Sequence, residues 1–252
     1  EKRIEEDYLR ILRFIRFSIQ YGSFEINEKT VKAIKLNLSG INQLSKERVY
    51  TELKKILNLG NLVDIFQSSH LLEIVKLVFP EIRYLDRIKK IKKIVDEKFI
   101  TLENDIILAL VLVDHTDNHD YFSHKYKVSN EVRDNLGFYA KYYKEMKTNK
   151  NFIKKDLKKN VFYYGKAKIK LLILFYYLTL SKLDLSELKK LISNIQTMSL
   201  PRFPITGKYL LDRGFKSGKK IGQAMDEIKK KWIENDFNLD DQQLNSLIIK
   251  YI

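Results

Sequence analysis

Arg3-Ile4-Glu5-Glu6-Asp7-Tyr8-Leu9-Arg10-Ile11-Leu12-Arg13-Phe14-Ile15-Arg16-Phe17 is the stretch on which the reading of this chain turns. At about 3.6 residues per turn, Ile4, Tyr8, Ile11, Leu12, Ile15 and Ile19 form one apolar stripe, and the spacing predicts a helix that buries it. Arg3, Glu6, Asp7, Arg10 and Arg13 face the other way, with Phe14 and Phe17 on the same side. A merely solvated face does not favour two phenylalanines, so this face is expected to meet something. Asp7 and Arg10 are three apart, which on a helix sets them side by side. An ionised Asp only accepts hydrogen bonds, and Arg is a fork of donors. The pair complements a nucleobase edge that sets an amino donor beside a ring-nitrogen acceptor. Adenine and cytosine have that edge; guanine and uracil present the opposite pattern. A surface ion pair is the commoner use of two such residues; the flanking residues strengthen the base-reading alternative without displacing that use.

Composition bounds the rest. With 252 residues, 44% hydrophobic and 31% charged, the chain can bury a sizeable core or fold as two or three small helical domains. It has no cysteine, which excludes disulfides and thiolate metal sites and fits a reducing, cytoplasmic setting. The first residue is Glu, so the expectation is a piece of a longer protein or a trimmed chain; its opening residues are charged and do not read as a signal peptide. The longest apolar run, residues 171–180, falls short of the roughly 20 residues needed to cross a bilayer and reads as a buried helix, with no membrane partner expected.

The net charge of +15 is unevenly spread. Residues 125–170 hold 13 Lys and one Arg against four acidic residues, interleaved with Tyr126, Tyr139, Tyr142, Tyr143, Phe162, Tyr163 and Tyr164. Lysines among aromatics suit a polyanion with exposed bases or sugars. Lys154, Lys155, Lys158, Lys159, Lys166 and Lys168 are the candidate RNA contacts of this stretch; a biased, solvated face is the competing reading.

Only three prolines and nine glycines occur, and long stretches keep helical periodicity without strand-like alternation. The expected class is all-α. Leu53, Ile56 and Leu57, then Val63, Ile65 and Phe66, suggest a second helix and a turn at Leu59-Gly60-Asn61. Another helix runs from Leu71 to Val78 and stops at Phe79-Pro80. Ile106 to Val113, Asn130 to Met146, Lys166 to Leu180 and Ser186 to Thr197 read as further helices, the last announced by the start signal Ser181-Lys182-Leu183-Asp184-Leu185-Ser186 followed by Glu187.

The opening string resembles the neck motif of class II tRNA nucleotidyltransferases, the CCA-adding enzymes, and of their bacterial poly(A) polymerase relatives. Ser45-Lys46-Glu47-Arg48-Val49-Tyr50-Thr51-Glu52-Leu53 resembles the next neck motif, which begins a helix buttressing the base-reading one. Phe203-Pro204-Ile205-Thr206-Gly207 through Gly214, Gly218, Ile221-Gly222 and Trp232 resembles the tail signature of the CCA-adding enzymes. The three matches keep the family's order and span nearly the whole chain. The resemblance implies helical neck (1–60), body (61–125) and basic body and tail (126–252) regions. It implies a base pocket of Glu6, Asp7 and Arg10, with Arg13 one turn on, and tRNA, CTP and ATP as partners. It places Lys216, Lys219 and Lys220 near tRNA phosphates. The family's catalytic head carries a Gly-Ser pair and an Asp-x-Asp that hold Mg²⁺ for phosphoryl transfer. Gly22-Ser23 stands alone here and no Asp-x-Asp occurs in the sequence. The expectation is therefore a portion that is inactive by itself and works with a head supplied upstream or by another chain. A poly(A) polymerase portion and a free-standing helical RNA-binding module are the rival readings.

Two further constellations carry less. His115 and His119, four apart within Asp114-His115-Thr116-Asp117-Asn118-His119-Asp120, have metal-ligand spacing if helical; the density of Asp and Asn favours a polar loop. Gly207, Gly214, Gly218 and Gly222 lack the Gly-Lys-Ser/Thr element of a phosphate loop and read as turns and caps. Trp232 and Phe237 are expected in the core.

Overall fold

A computed structural model describes residues 2–96, 104–149, 155–215 and 218–251. All regular structure among them is helical, as the periodicity implies. No helix among them is long and apolar enough to cross a membrane. The chain forms two compact units, residues 1–152 with 171–188, and residues 153–170 with 189–252.

The first unit opens with α1 (Lys2–Glu6) and α2 (Leu9–Gln20), where one continuous helix was expected. The break falls at Asp7, whose Oδ1 accepts from the Leu9 N–H at 3.1 Å. A short acceptor side chain satisfies a first-turn donor and starts a new helix, which is why Asp favours helix starts over interiors. In α2 the predicted stripe is buried at Ile11, Leu12, Ile15 and Ile19, joined by Leu9. Then follow α3 (Glu28–Leu36), α4 (Lys46–Leu57) and α5 (Ser69–Val78). Each starts at a side-chain cap: Asn27 accepts from Thr30 N, Ser45 from Arg48 N and Ser68 from Leu71 N. α5 ends where Phe79-Pro80 was expected to end it. After the expected turn, where Leu62 N donates to the Leu59 carbonyl at 3.0 Å, comes a two-turn 3₁₀ segment, Leu62–Gln67.

α6 (Ile91–Asp96) precedes α7 (Asn104–Leu112), in which every residue from Ile106 to Leu112 is buried. A helix apolar all round must be covered all round, and α4, α8 (Asn118–Tyr126) and α9 (Asn130–Thr148) pack on it. The polar loop expected over residues 114–120 is only half present. Asp114 folds a tight turn by accepting from Thr116 N at 2.7 Å, and a helix begins at Asn118. Asn118 Nδ2 donates to the Glu81 and Leu112 carbonyls, both at 2.9 Å, which fixes that start. The buried side of α8 includes Asn118, His119 and Ser123, so an apolar period is weak there.

α10 (Leu157–Thr179) is broken at Gly165, where φ is +81°. Its second half begins at the expected Lys166. Its first half, residues 157–164, was not read as helix. α11 (Leu185–Thr197) opens with a reciprocal capping box: Glu187 N donates to Asp184 Oδ1 at 2.8 Å, and Asp184 N donates to Glu187 Oε2 at 3.0 Å.

The second unit adds α12 (Gly207–Leu211), α13 (Lys219–Glu234) and α14 (Asp241–Ile249). Ile205, Leu210, Phe215, Ala224, Ile228, Leu244 and Ile248 form one core. Trp232 is buried edge-on against Phe162, Phe203 and Phe237, with ring centroids 5.0–5.6 Å apart. Trp232 is in the core as expected, while Phe237, expected there too, is only half-buried against it.

Candidate nucleotide and RNA interface

The helix break at Asp7 changes the geometry of the opening motif. Asp7 and Arg10 do not pair. Arg10 Nη1 lies 2.7 Å from Glu6 Oε2 and also meets the Arg3 carbonyl. Asp7 is held from elsewhere: Arg13 Nη1 is 3.8 Å from its Oδ2, and Arg48 Nη2 is 3.6 Å from its Oδ1. Glu6, Asp7, Arg10 and Arg13 thus form one patch of an acceptor and donors with separate partners. Ion pairs this exposed are worth about 0–1 kcal/mol. Arg10 can therefore exchange Glu6 for a ligand at small cost.

Arg48 was missed as a partner of this patch. It stands in the first turn of α4, and the Ser45 cap sets its backbone. The only sequence signal was the second motif's placement beside the first. Deeper between α2 and α4, Glu52 is 4% exposed in its side chain and accepts from Arg16 Nε at 3.1 Å and Lys55 Nζ at 2.7 Å. Burial alone would raise the Glu52 carboxyl; the hydrogen bonds from Lys55 and Arg16 outweigh it and hold it below the usual range. This pair ties the helix that carries Arg10 and Arg13 to the helix that carries Arg48. Beyond Arg13, Phe14 is half-buried and Phe17 is exposed, stacked on Tyr21 at 5.8 Å and covered by Arg16 at 4.3 Å.

The basic residues separate by unit. Residues 153–170 and 189–252 carry 19 Lys and Arg against 8 Asp and Glu, most of the chain's excess charge. Among the candidates, Lys155 and Lys158 are exposed, and Lys158 Nζ lies 5.1 Å from the Phe237 ring. Lys159 is spent structurally, on Asp236 at 3.0 Å and the Glu234 carbonyl at 3.0 Å. Lys166 donates to the Gln196 carbonyl at 2.9 Å, and Lys168 is half-buried. Lys219 and Lys220 are exposed in the first turn of α13. Lys154 and Lys216 lie outside the described residues.

The buried carboxylates do not suit Mg²⁺, because basic and hydroxyl groups already occupy them. Asp114 accepts from Thr116, Tyr84 and Arg83, which hold its carboxyl low against burial, and Glu81 accepts from Lys125 at 2.7 Å. His119 is buried while His115 is exposed in the preceding turn, so the two do not share a helix face. Among the described residues no group of three or more His, Asp or Glu could hold a metal ion.

An all-helical chain with a mixed donor–acceptor patch and a strongly basic second unit has the build of a nucleic-acid-handling protein. Residues 98–248 match the family described as tRNA nucleotidyltransferase domain 2, and the chain belongs to that family. Residues 23–85 match a second family, described as "Probable RNA and SrmB- binding site of polymerase A". The chain is 29% identical over 265 residues to the mitochondrial CCA tRNA nucleotidyltransferase 1 of Danio rerio, covering 98% of this chain and 56% of that protein. The Homo sapiens counterpart is 28% identical over 264 residues, with 99% and 57% covered. The chain thus spans a little over half the length of the curated relatives it matches. In fold it is similar to the Thermotoga maritima CCA-adding enzyme complexed with tRNA, with a TM-score of 0.57, 20% identity, and 99% and 62% of the two chains covered. A CCA-adding enzyme in complex with ATP gives a TM-score of 0.61 at 20% identity, with 99% and 61% covered. The resemblance drawn from the three motifs and the all-α class agree with these matches.

Proposed function

We propose that this chain is the nucleotide-selecting and tRNA-binding portion of a CCA-adding tRNA nucleotidyltransferase, the enzyme class that adds CMP and AMP to the tRNA 3′ end without a template. The observation that carries the reading is the half-buried patch at the α1–α2 break, where Asp7 offers an acceptor and Arg10 donors, each held only by an exchangeable ion-pair partner. In this reading Asp7 accepts from the amino group of cytosine or adenine, and Arg10 leaves Glu6 to donate to the adjacent ring nitrogen. Arg13 and Arg48 hold Asp7 in place from the other side. The basic second unit holds the tRNA through phosphates, with Lys155, Lys158, Lys219 and Lys220 as its exposed contacts.

Phosphoryl transfer in the family uses an Asp-x-Asp to hold Mg²⁺, and this sequence has none. The chain by itself is proposed to be inactive and to depend on a catalytic portion. The test is a competition among CTP, ATP, UTP and GTP on tRNA lacking its 3′ end, with the catalytic portion present. Asp7→Ala and Arg10→Ala should each relax the rejection of UTP and GTP as well as slow correct addition. Mismatch is costly because it leaves buried donors or acceptors unpaired. The two changes should be non-additive, since they form one template. Wild-type selectivity in both variants would remove this reading. The match to the polymerase A family keeps one alternative, a poly(A) polymerase portion. Addition of AMP alone, with CTP ignored, would favour it.

A further inference from the structure

A groove of about 290 Å³ runs between the first half of α10 and α13 within the second unit, lined by Phe162, Tyr163, Asp226, Lys229, Lys230 and Ile233. Its chemistry is mixed in a specific way. Tyr163 leaves 54% of its surface in solvent, although neighbouring aromatics of this unit pack inward. Phe162 and Ile233 give the groove an apolar wall. Lys229 Nζ lies 5.5 Å from the Phe162 ring, and Lys229, Lys230 and Asp226 are all exposed along one side of α13. One carboxylate flanked by two ammonium groups does not make a cation site. An exposed ring, two cations and one acceptor around a slot with room for a single base are instead what an unpaired nucleotide needs.

We propose that this groove seats one unpaired nucleotide of a bound RNA, with its base stacked on Tyr163, its phosphate on Lys229 and Lys230, and an exocyclic amine donating to Asp226. The proposal rests on reading the second unit as RNA-binding, which its surplus of cations supports. It adds a preference. Adenine, cytosine and guanine carry an exocyclic amine for Asp226. Uracil has none, and the two carbonyls beside its N3–H face the carboxylate unfavourably.

The test uses the whole chain and two RNA hairpins, one fully paired and one identical but for a single bulged adenosine. Wild type should bind the bulged hairpin more tightly. Tyr163→Ala should lose roughly five- to a hundred-fold in affinity for it, the range typical of one stacked base, and leave the paired hairpin unaffected. Tyr163→Phe keeps the ring and should bind like wild type. A bulged uridine should bind more weakly than a bulged adenosine, and Asp226→Ala should erase that difference. Trp232 emission checks that the variants remain folded. If Tyr163→Ala binds the bulged hairpin as wild type does, and that binding stays salt-dependent, the groove is no nucleotide seat while RNA binding stands. If wild type binds neither hairpin, the RNA-binding reading falls and the groove with it.

Discussion

The Tyr8 ring lies directly against Gly40, so closely that a Cβ added at Gly40 would overlap three of its ring carbons. Tyr8 sits at the α1–α2 break beside Asp7, and Gly40 lies in the 3₁₀ segment Leu38–Gln43. The position needs glycine for close approach and not for backbone freedom.

Gly40→Ala should therefore act on the neck patch from a distance. Overpacking of this kind costs about 1–3 kcal/mol, seen as a lower urea midpoint. It should also displace Tyr8 and with it Asp7, so base selection should suffer with the catalytic portion present. Tyr8→Ala in the same chain should relieve the clash. The double variant should then be more stable than the sum of the single losses predicts. Strict additivity would mean that Tyr8 has room to move elsewhere.

Glu52 should give the first unit an acid-sensitive joint. Its carboxyl is held below the ordinary value of 4.5 in the folded chain. A lowered carboxyl contributes stability that is fully present above the unfolded value and fades as pH falls through the folded one. Unfolding free energy should thus decline on acidification below about pH 5. Glu52→Gln should be less stable at pH 7 by about 1–3 kcal/mol, the worth of hydrogen bonds to a buried charge. Its stability should also change less between pH 6 and pH 3 than that of wild type. Parallel pH curves for the two proteins would show that Glu52 is not the group responsible.

How much of this was legible depends on the range of the interactions. The burial of α2 follows from apolar spacing, and the ends of α5 and α11 follow from Pro80 and from the Asp184–Glu187 box, all local signals. The break at Asp7 was not legible, because the apolar period runs through it unbroken and outweighs the preference of Asp for a helix start; only the Leu9 N–H that Asp7 accepts from reveals the role it takes. Arg48 and Glu52 reach α2 through packing, at sequence separations that no period encodes. α8 was hidden because Asn118, His119 and Ser123 are polar yet buried. The first half of α10 was hidden because a lysine-rich run gave no apolar stripe. Asp7 and Arg10 were legible as a pair of residue types but not as geometry, since each holds a different neighbour.

Trp232 is the chain's one tryptophan and lies wholly within the second unit. Its ring is the centre of the contacts with Phe162, Phe203 and Phe237. Trp232→Ala should cost about 3–5 kcal/mol, the usual range for removing a large buried ring. Phe203→Ala should lower the denaturation midpoint followed by tryptophan emission. An unchanged midpoint would mean that this aromatic cluster does not hold the second unit together.

Of the lysines first singled out, the structure leaves Lys155 and Lys158 as the clean probes of RNA contact. Lys159 also holds Asp236 and the Glu234 carbonyl, so reversing it would damage the fold and confuse the result. Each phosphate neutralised by a cation contributes roughly one unit to the slope of log affinity against log salt. The double variant Lys155→Glu, Lys158→Glu should bind tRNA more weakly and flatten that slope by about one to two units. Lys29→Glu with Lys32→Glu, on the exposed side of α3 in the first unit, removes the same charge elsewhere. If both pairs weaken binding equally, the effect is one of net charge alone. If only the first pair flattens the slope, the start of α10 touches the RNA backbone.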